Sequence, residues 1–200
     1  MIGGVLRVLV IGLVVLVAAM MMLRPDTPTT ALVIDEPRPL PDVALTDHNG
    51  DAFSLSDLNG RNTLVFFGFT NCPDICPLTL AVIAEASAKL RQDAPRVAPN
   101  VLFVSVDPAR DSVERIRTYV SAFDDDFIGV TADEQALKPL IDTLGVTVHK
   151  QTDGGETYNV IHNGTIFVLD NAGRWFAVFG GSEHRAEIIA SDFLAIRRRS

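Results

Sequence analysis

The two cysteines of the chain, Cys72 and Cys76, carry its most reactive side chains and lie four positions apart. They follow an apolar, aromatic-rich run of strand length, Thr63–Phe69, and the apolar residues of segment 78–90 recur at helical spacing. Pro77 suits the first turn of a helix, where its missing N–H has no partner to lose. We therefore expect a strand, a cysteine-bearing loop and a helix start, a position that favours thiolate over thiol.

One interpretation of this pair is a structural disulfide. A bridge over so short a loop removes little entropy from the unfolded chain, and a chain of 200 residues can bury a core without it. Thiolates perform disulfide exchange and bind soft metals, so redox or metal chemistry is the favoured interpretation. Three residues separate the cysteines, one more than in thioredoxin-type motifs, and this wider loop lets both sulfurs face one ion more easily.

A site with two sulfurs needs a further ligand, and the chain has four histidines. His162 lies 86 residues after Cys76 at the expected end of a strand, and His149, which ends another apolar segment, is a weaker candidate. His48 lies in a turn and His184 at a helix start, where both are expected to be exposed. A lone histidine is more often structural than a ligand, so spacing leaves the role of His162 open. Two sulfurs and one imidazole would favour copper, especially Cu(I), over zinc, which usually takes four ligands.

The rest of the chain predicts strands that alternate with helices. An Asn-Gly pair at residues 49–50 between apolar segments predicts an N-terminal β-hairpin. The continuous apolar run Asn100–Val106 predicts a strand that is buried on both faces. Residues 111–112 predict a capped helix start, and residues 183–197 a closing amphipathic helix. We therefore expect an α/β fold with a mixed sheet.

The N-terminal segment 1–24 is predicted to be one transmembrane helix. Val5–Leu23 contains a single charge, Arg7, and its 19 residues span about 28 Å, close to the thickness of the hydrocarbon core. A cleaved signal peptide is the alternative, but the apolar run is long and has no clear small-x-small cleavage site. Residues 25–41 contain five prolines and predict a stiff, extended spacer rather than a packed element. The folded domain is expected over residues 42–200.

Charge restricts the class of partner. The formal net charge is −8, and all 25 acidic residues lie beyond Arg24, so the chain lacks the basic footprint of a nucleic-acid-binding protein. No Gly-rich phosphate loop follows any strand. The charges that flank the apolar segment slightly favour an N-terminus in the cytoplasm, and no Arg/Ser-rich transit peptide is present. We expect a bacterial inner-membrane protein with its domain in the periplasm.

Three separated motifs resemble the Sco/SenC family. They are the segment from Phe67 to Pro77 with its two cysteines, the segment Val104-Ser-Val-Asp-Pro-x-Arg-Asp111, and Tyr158-x-Val-x-His162 followed by Asp-x-x-Gly173. Members of this family are membrane-anchored, thioredoxin-like copper proteins that help to assemble the dinuclear copper centre of cytochrome c oxidase. The resemblance covers roughly residues 40–196 and implies a thioredoxin-like domain.

Residue by residue, the resemblance implies that Cys72, Cys76 and His162 bind copper. The family often has Asp immediately before the histidine, where this chain has Ile161, a change that affects the local polarity and keeps the ligand. Asp107 matches an acidic position of the family near the site. We expect it to be structural or supporting, because an Asp that ends a strand before Pro is commonly a turn residue.

Two functions of different classes follow from these residues. The first is a metallochaperone that delivers copper to the copper-receiving subunit of cytochrome c oxidase, with other copper chaperones or a thiol reductant as further partners. The second is a thiol–disulfide oxidoreductase that uses Cys72 and Cys76 as a redox pair to reduce the cysteines of that copper site. A thiol peroxidase is disfavoured, because Val65 and Phe69 stand where the peroxiredoxin pattern has Pro and Thr.

Overall fold

The structure is a computed structural model that describes residue 7 and residues 10–13, 28–152, 158–162, 164–181 and 184–199. The backbone alone is described for residues 149–152 and 158–162. The described N-terminal positions are helical. Within the described residues, no helix combines the length and the apolar character that crossing a bilayer requires. Most of segment 1–24 lies outside the described residues, so the anchor stays a prediction.

Ten strands and four helices form the described domain. The strands are β1 Ala31–Arg38, β2 Leu45–Asp47, β3 Ala52–Phe53, β4 Thr63–Gly68, β5 Asn100–Ser105, β6 Ile128–Thr131, β7 Val148–Thr152, β8 Tyr158–His162, β9 Ile166–Leu169 and β10 Trp175–Phe179. The helices are α1 Ile75–Asp93, α2 Val113–Ser121, α3 Glu134–Leu144 and α4 Ala186–Ile196, with short 3-10 turns at Leu55–Leu58, Pro95–Val97 and Arg197–Arg199.

Eight strands form one mixed sheet in the order β1-β10-β9-β4-β5-β6-β2-β3, and β7 and β8 form a separate antiparallel pair. The central strands β4, β5 and β6 are parallel, whereas β9 runs antiparallel to β4. Every residue of β4 is buried, and so is every residue of β5 after Asn100. Burial on both faces explains their continuous apolar sequences. The predictions of a mixed α/β sheet and of its two central strands are therefore confirmed.

Local sequence signals explain most of the element ends. The hairpin β2–β3 forms as predicted around Gly50, which has a positive φ of 90°. Helix α2 begins at Val113 because Ser112 caps it by accepting the N–H of Arg115 at 3.2 Å. Helix α3 is capped in the same way by Asp133 and ends at Gly145, which adopts the left-handed conformation.

Strand β1 corrects the predicted spacer. Ala31–Arg38 lies within the segment that we expected to be unpacked, yet it pairs antiparallel with β10 at the edge of the main sheet. Pro37 is tolerated because β1 is an edge strand. Proline density was therefore a misleading signal here, because an edge strand accepts prolines as readily as a spacer does.

Asp192 of α4 fixes the start of β1. Its carboxylate is 2% exposed and accepts the backbone N–H groups of Thr29, Thr30 and Ala31 at 2.7–3.0 Å. Burial acts to raise the pKa of Asp192, but these hydrogen bonds outweigh it and hold the pKa below the usual 3.8. The chain therefore enters the sheet at a position that is fixed by the C-terminal helix.

Candidate metal centre

The two cysteines lie where strand β4 gives way to helix α1. Cys72 is in the connecting loop, and its N–H donates to the carbonyl of Phe69 at 3.2 Å. Helix α1 begins at Ile75, so Cys76 and Pro77 both lie within its first turn, as the sequence predicts for Pro77. The N–H groups of a first turn have no partners within the helix, so the absence of an N–H at Pro77 costs nothing.

The sulfur of Cys76 is packed into the core, whereas Cys72 is half-buried. Gly68, the last residue of β4, provides the space: a Cβ at this position would lie 3.1 Å from the Cys76 Sγ and 2.8 Å from the Phe103 ring. The N–H of Cys76 donates to the Cys72 Sγ at 3.4 Å. The helix start therefore turns both thiols toward each other.

Burial raises the pKa of the Cys76 thiol well above its usual 9.0. The hydrogen bond with the Cys72 side chain acts in the same direction, and a backbone hydrogen bond with Phe69 opposes it. The sequence predicted that the helix N-terminus would favour thiolate at this loop. For Cys76 that prediction is wrong, because desolvation of a fully buried sulfur outweighs the helix dipole.

Asp111 contacts the cysteine loop directly, a role that the sequence did not reveal. Its carboxylate accepts the backbone N–H of Thr70 at 3.0 Å and the Thr70 hydroxyl at 2.6 Å. The Ser105 hydroxyl donates to the same carboxylate at 2.6 Å. The sequence predicts a capped helix start at residues 111–112, and Ser112 alone supplies that cap. The pairing joins positions 41 residues apart, and sequence spacing carries no signal for it.

Asp107, which the family resemblance placed near the site, is fully buried and forms a salt bridge with the Arg110 Nε. Its backbone carbonyl accepts the N–H groups of Arg110 and Asp111, both at 3.0 Å. The Arg110 guanidinium in turn lies 5.8 Å from the centre of the Phe69 ring. Asp107 thus shapes the turn that presents Asp111, in agreement with the structural role expected for it.

Tyr119 of helix α2 brings a second polar group close to the thiols. Its ring packs against Phe103 at a centroid distance of 5.5 Å. Its hydroxyl is buried and has no hydrogen-bond partner among the groups that the structure describes. Burial is the largest cause that raises the pKa of Tyr119, and the carboxylate of Asp111 acts in the same direction. The phenol is therefore a neutral neighbour of the sulfurs.

The backbone of His162 ends strand β8, opposite Val148 of β7, but its side chain lies outside what the structure describes. Gly164, two residues further on, packs against Ile75 in the first turn of α1: a Cβ on Gly164 would lie 3.2 Å from that side chain. The carbonyl of Gly164 lies 2.6 Å from the Nε2 of His184. The chain thus passes directly beside the cysteine-bearing turn shortly after His162.

The other histidines differ partly from expectation. His48 is half-buried, and its Nδ1 accepts the N–H of Gly129 at 2.9 Å, so the prediction that it is exposed is wrong. His184 is also half-buried. The side chain of His149, like that of His162, is not among the side chains that the structure describes. Among the side chains that are described, no three His, Cys, Asp or Glu residues form a metal-binding cluster.

A parallel central sheet with a dithiol at the start of its first helix defines a thioredoxin-like α/β domain. The SCO1/SenC family model matches residues 37–195. A SCO2-like protein of Rickettsia felis is 32% identical over 140 residues, which are 69% of this chain and 67% of that protein. The chain belongs to the SCO1/SenC family.

Solved structures agree with this assignment. The apo Sco1 protein of Thermus thermophilus is 34% identical with a TM-score of 0.74, and the match covers 85% of this chain and 98% of that one. The copper-bound ScoI of Bradyrhizobium japonicum is 33% identical with a TM-score of 0.68, over 77% of this chain and 96% of that one. The predicted thioredoxin-like α/β fold is therefore confirmed, and the similar ScoI of Bradyrhizobium japonicum has been solved with copper bound.

Proposed function

We propose that this chain binds copper through Cys72, Cys76 and His162 and delivers it to the dinuclear copper site of cytochrome c oxidase. The donor set fits the metal, because thiolates and imidazole are the ligands that Cu(I) prefers. The copper-bound relative and the association of the Sco family with oxidase copper delivery support the proposal.

The observation that carries the proposal is the arrangement of the Cys76 turn. This turn holds both cysteines, and the backbone N–H of Cys76 donates to the Cys72 Sγ. At Ile75 the turn contacts Gly164, two residues beyond His162. Both thiols thus lie at one strand–helix junction, and Gly164, two residues beyond the proposed third ligand, lies against the same turn, which supports the proposed ligand set.

Delivery requires that copper leave as well as bind. Cys72 is the more accessible of the two sulfurs and is therefore the one that an incoming client thiolate would replace first. Cys76, which is fully buried, would hold the ion until the exchange is complete. Binding also requires deprotonation of both thiols, so copper uptake releases protons.

The test is a Cu(I) titration of the full chain against a competing chelator, with His162→Ala and His149→Ala as a matched pair. We expect one copper per chain in the wild type, much weaker binding for His162→Ala and wild-type binding for His149→Ala. Equal binding by all three proteins would remove His162 from the site. Loss of binding in His149→Ala alone would assign the ligand to the neighbouring strand.

A thiol–disulfide oxidoreductase is the second candidate, and the unequal exposure of the two thiols favours it. The Cys72 thiolate would attack a client disulfide, form a mixed disulfide and release one client thiolate. Cys76 would then attack the Cys72 sulfur, which releases the second client thiolate and leaves an intramolecular disulfide. Two electrons pass to the client. In this mechanism Cys76→Ser traps the mixed disulfide, and His162→Ala retains the activity.

The location of the protein is part of the proposal. Residues 1–24 would anchor the chain in a bacterial inner membrane, with the domain in the periplasm. The apolar sequence of this segment supports the anchor. Carbonate extraction of membranes would test the anchor. Digestion of the domain by protease added to intact spheroplasts would test its periplasmic location. Release of the chain by carbonate would contradict the anchor.

A further inference from the structure

Asp111 is a buried carboxylate whose direct partners are neutral. It is 1% exposed and accepts three hydrogen bonds: two from Thr70 and one from the Ser105 hydroxyl. Burial of a carboxylate is costly unless its oxygens are well satisfied. Two of the three bonds that offset this cost come from Thr70, in the loop that leads to Cys72.

Thr70 connects this carboxylate to the thiols. It lies two residues before Cys72 and directly follows Phe69, whose carbonyl accepts the Cys72 N–H. Arg115 of helix α2 donates its Nε–H to the Thr70 hydroxyl oxygen at 2.8 Å, and its guanidinium also contacts the Asn71 side chain. The hydroxyl of Thr70 therefore accepts from Arg115 and donates to Asp111, so every one of its bonds fixes the loop to the neighbouring βα unit.

We propose that Asp111 is a positioning residue of the dithiol site, which holds the loop so that Cys72 faces Cys76 before copper arrives. The inference rests on the proposed function for its copper readout, but its thiol readout does not depend on copper. A preformed pair of sulfurs binds the ion without first ordering the loop. Residues that orient metal ligands typically change metal affinity by about 10- to 100-fold when they are replaced.

Asparagine at position 111 keeps the shape of the side chain but cannot satisfy the same donors. If its amide nitrogen takes the place of Oδ2, it faces the backbone N–H of Thr70, a donor that cannot reverse. If it takes the place of Oδ1, it can donate to the Thr70 hydroxyl oxygen beside Arg115, but the Thr70 O–H then loses its charged acceptor. In either orientation one donor of Thr70 loses the acceptor that Asp111 provides.

The experiment compares Asp111→Asn with Asp192→Asn in the full chain. Asp192 is a matched control, because it is also a buried carboxylate that accepts several hydrogen bonds, but its backbone donors belong to residues 29–31, away from the thiols. Two quantities are measured: the Cu(I) affinity, and the rate at which iodoacetamide alkylates Cys72 in the reduced, copper-free protein. We expect Asp111→Asn to bind Cu(I) about 10- to 100-fold more weakly and to alter the alkylation rate several-fold. Asp192→Asn is expected to change neither.

A second pair of variants distinguishes loss of this contact from general misfolding. Thr70→Ser retains the hydroxyl and the backbone N–H and is expected to behave like the wild type, whereas Thr70→Val is expected to reproduce the effects of Asp111→Asn. Unchanged affinity and unchanged alkylation in Asp111→Asn and Thr70→Val would overturn the inference. If the wild type itself does not bind copper, the proposed function fails, and the alkylation rates still decide whether Asp111 positions Cys72.

Discussion

Replacement of Gly68 by alanine tests the packing that supports the buried thiol. The new Cβ would lie 2.8 Å from the Phe103 ring and 3.1 Å from the Cys76 Sγ. The ring is fully buried and cannot move into solvent. Overpacking of this kind typically costs about 1–3 kcal/mol. For a domain of this size, such a loss lowers the unfolding midpoint by roughly 2–12 °C.

The same clash predicts a functional effect. The strain can be relieved by movement of the Phe103 or Phe66 ring, the β4 backbone or the Cys76 sulfur, and the last of these separates the two thiols. We expect Gly68→Ala to show both a lower midpoint of thermal unfolding, measured by circular dichroism, and a weaker Cu(I) affinity, measured by chelator competition.

Two further glycines provide matched controls. A Cβ at Gly129 would clash with the Ile116 side chain, so Gly129→Ala should destabilise the domain without touching the thiols. A Cβ at Gly180 would contact nothing within 4 Å, so Gly180→Ala should be neutral. The reasoning is refuted if Gly68→Ala matches the wild type in both measurements. It is also refuted if Gly129→Ala loses as much copper affinity as Gly68→Ala.

Three more predictions follow from the described contacts. Because the pKa of Asp192 is lowered on folding, its contribution to stability is complete above the unfolded value of about 3.8 and is lost as the pH falls below that value. Acid unfolding, followed by fluorescence, should therefore depend less steeply on pH for Asp192→Asn than for the wild type. An unchanged profile would contradict this prediction. Because the pKa of Cys76 is raised and copper requires its thiolate, Cu(I) affinity should increase with pH across the neutral range, and a flat profile would exclude Cys76 as a ligand. His184→Ala removes the contact with the Gly164 carbonyl and should weaken Cu(I) binding. His184→Gln retains a donor and should bind Cu(I) more tightly than His184→Ala. Equal affinities in both variants would show that the contact does not support the His162 segment.

The sequence predicted the central elements well because their signals are local. The strands around Val65 and Val104 are continuous apolar runs, and burial on both faces is the direct cause of that composition. The predicted capped start of helix α2 forms because the Ser112 side chain accepts the N–H of Arg115, three residues further on. In each case the cause and its effect lie within a few residues, so no tertiary information is needed.

The features that the sequence missed depend on distant partners. Strand β1 forms because β10 and Asp192, more than 130 residues further along the chain, complete its hydrogen bonds. The contact of Asp111 with Thr70 and that of His48 with Gly129 also join different elements. The pKa of Cys76 was misjudged for the same reason, since a helix start is visible in the sequence but the depth at which it is buried is not.

The attachment of Thr29 to Asp192 has a consequence for the distance over which the domain can search for a client. A spacer of the 17 residues 25–41 would allow an extension of about 60 Å. With residue 29 fixed to helix α4, only the four residues 25–28 separate the predicted anchor from the folded domain, and they span at most about 14 Å. Under the proposed anchoring, the thiols would therefore operate within one domain diameter of the bilayer. Clients would be encountered by lateral diffusion in the membrane, and a client with its copper site far above the surface would be out of reach.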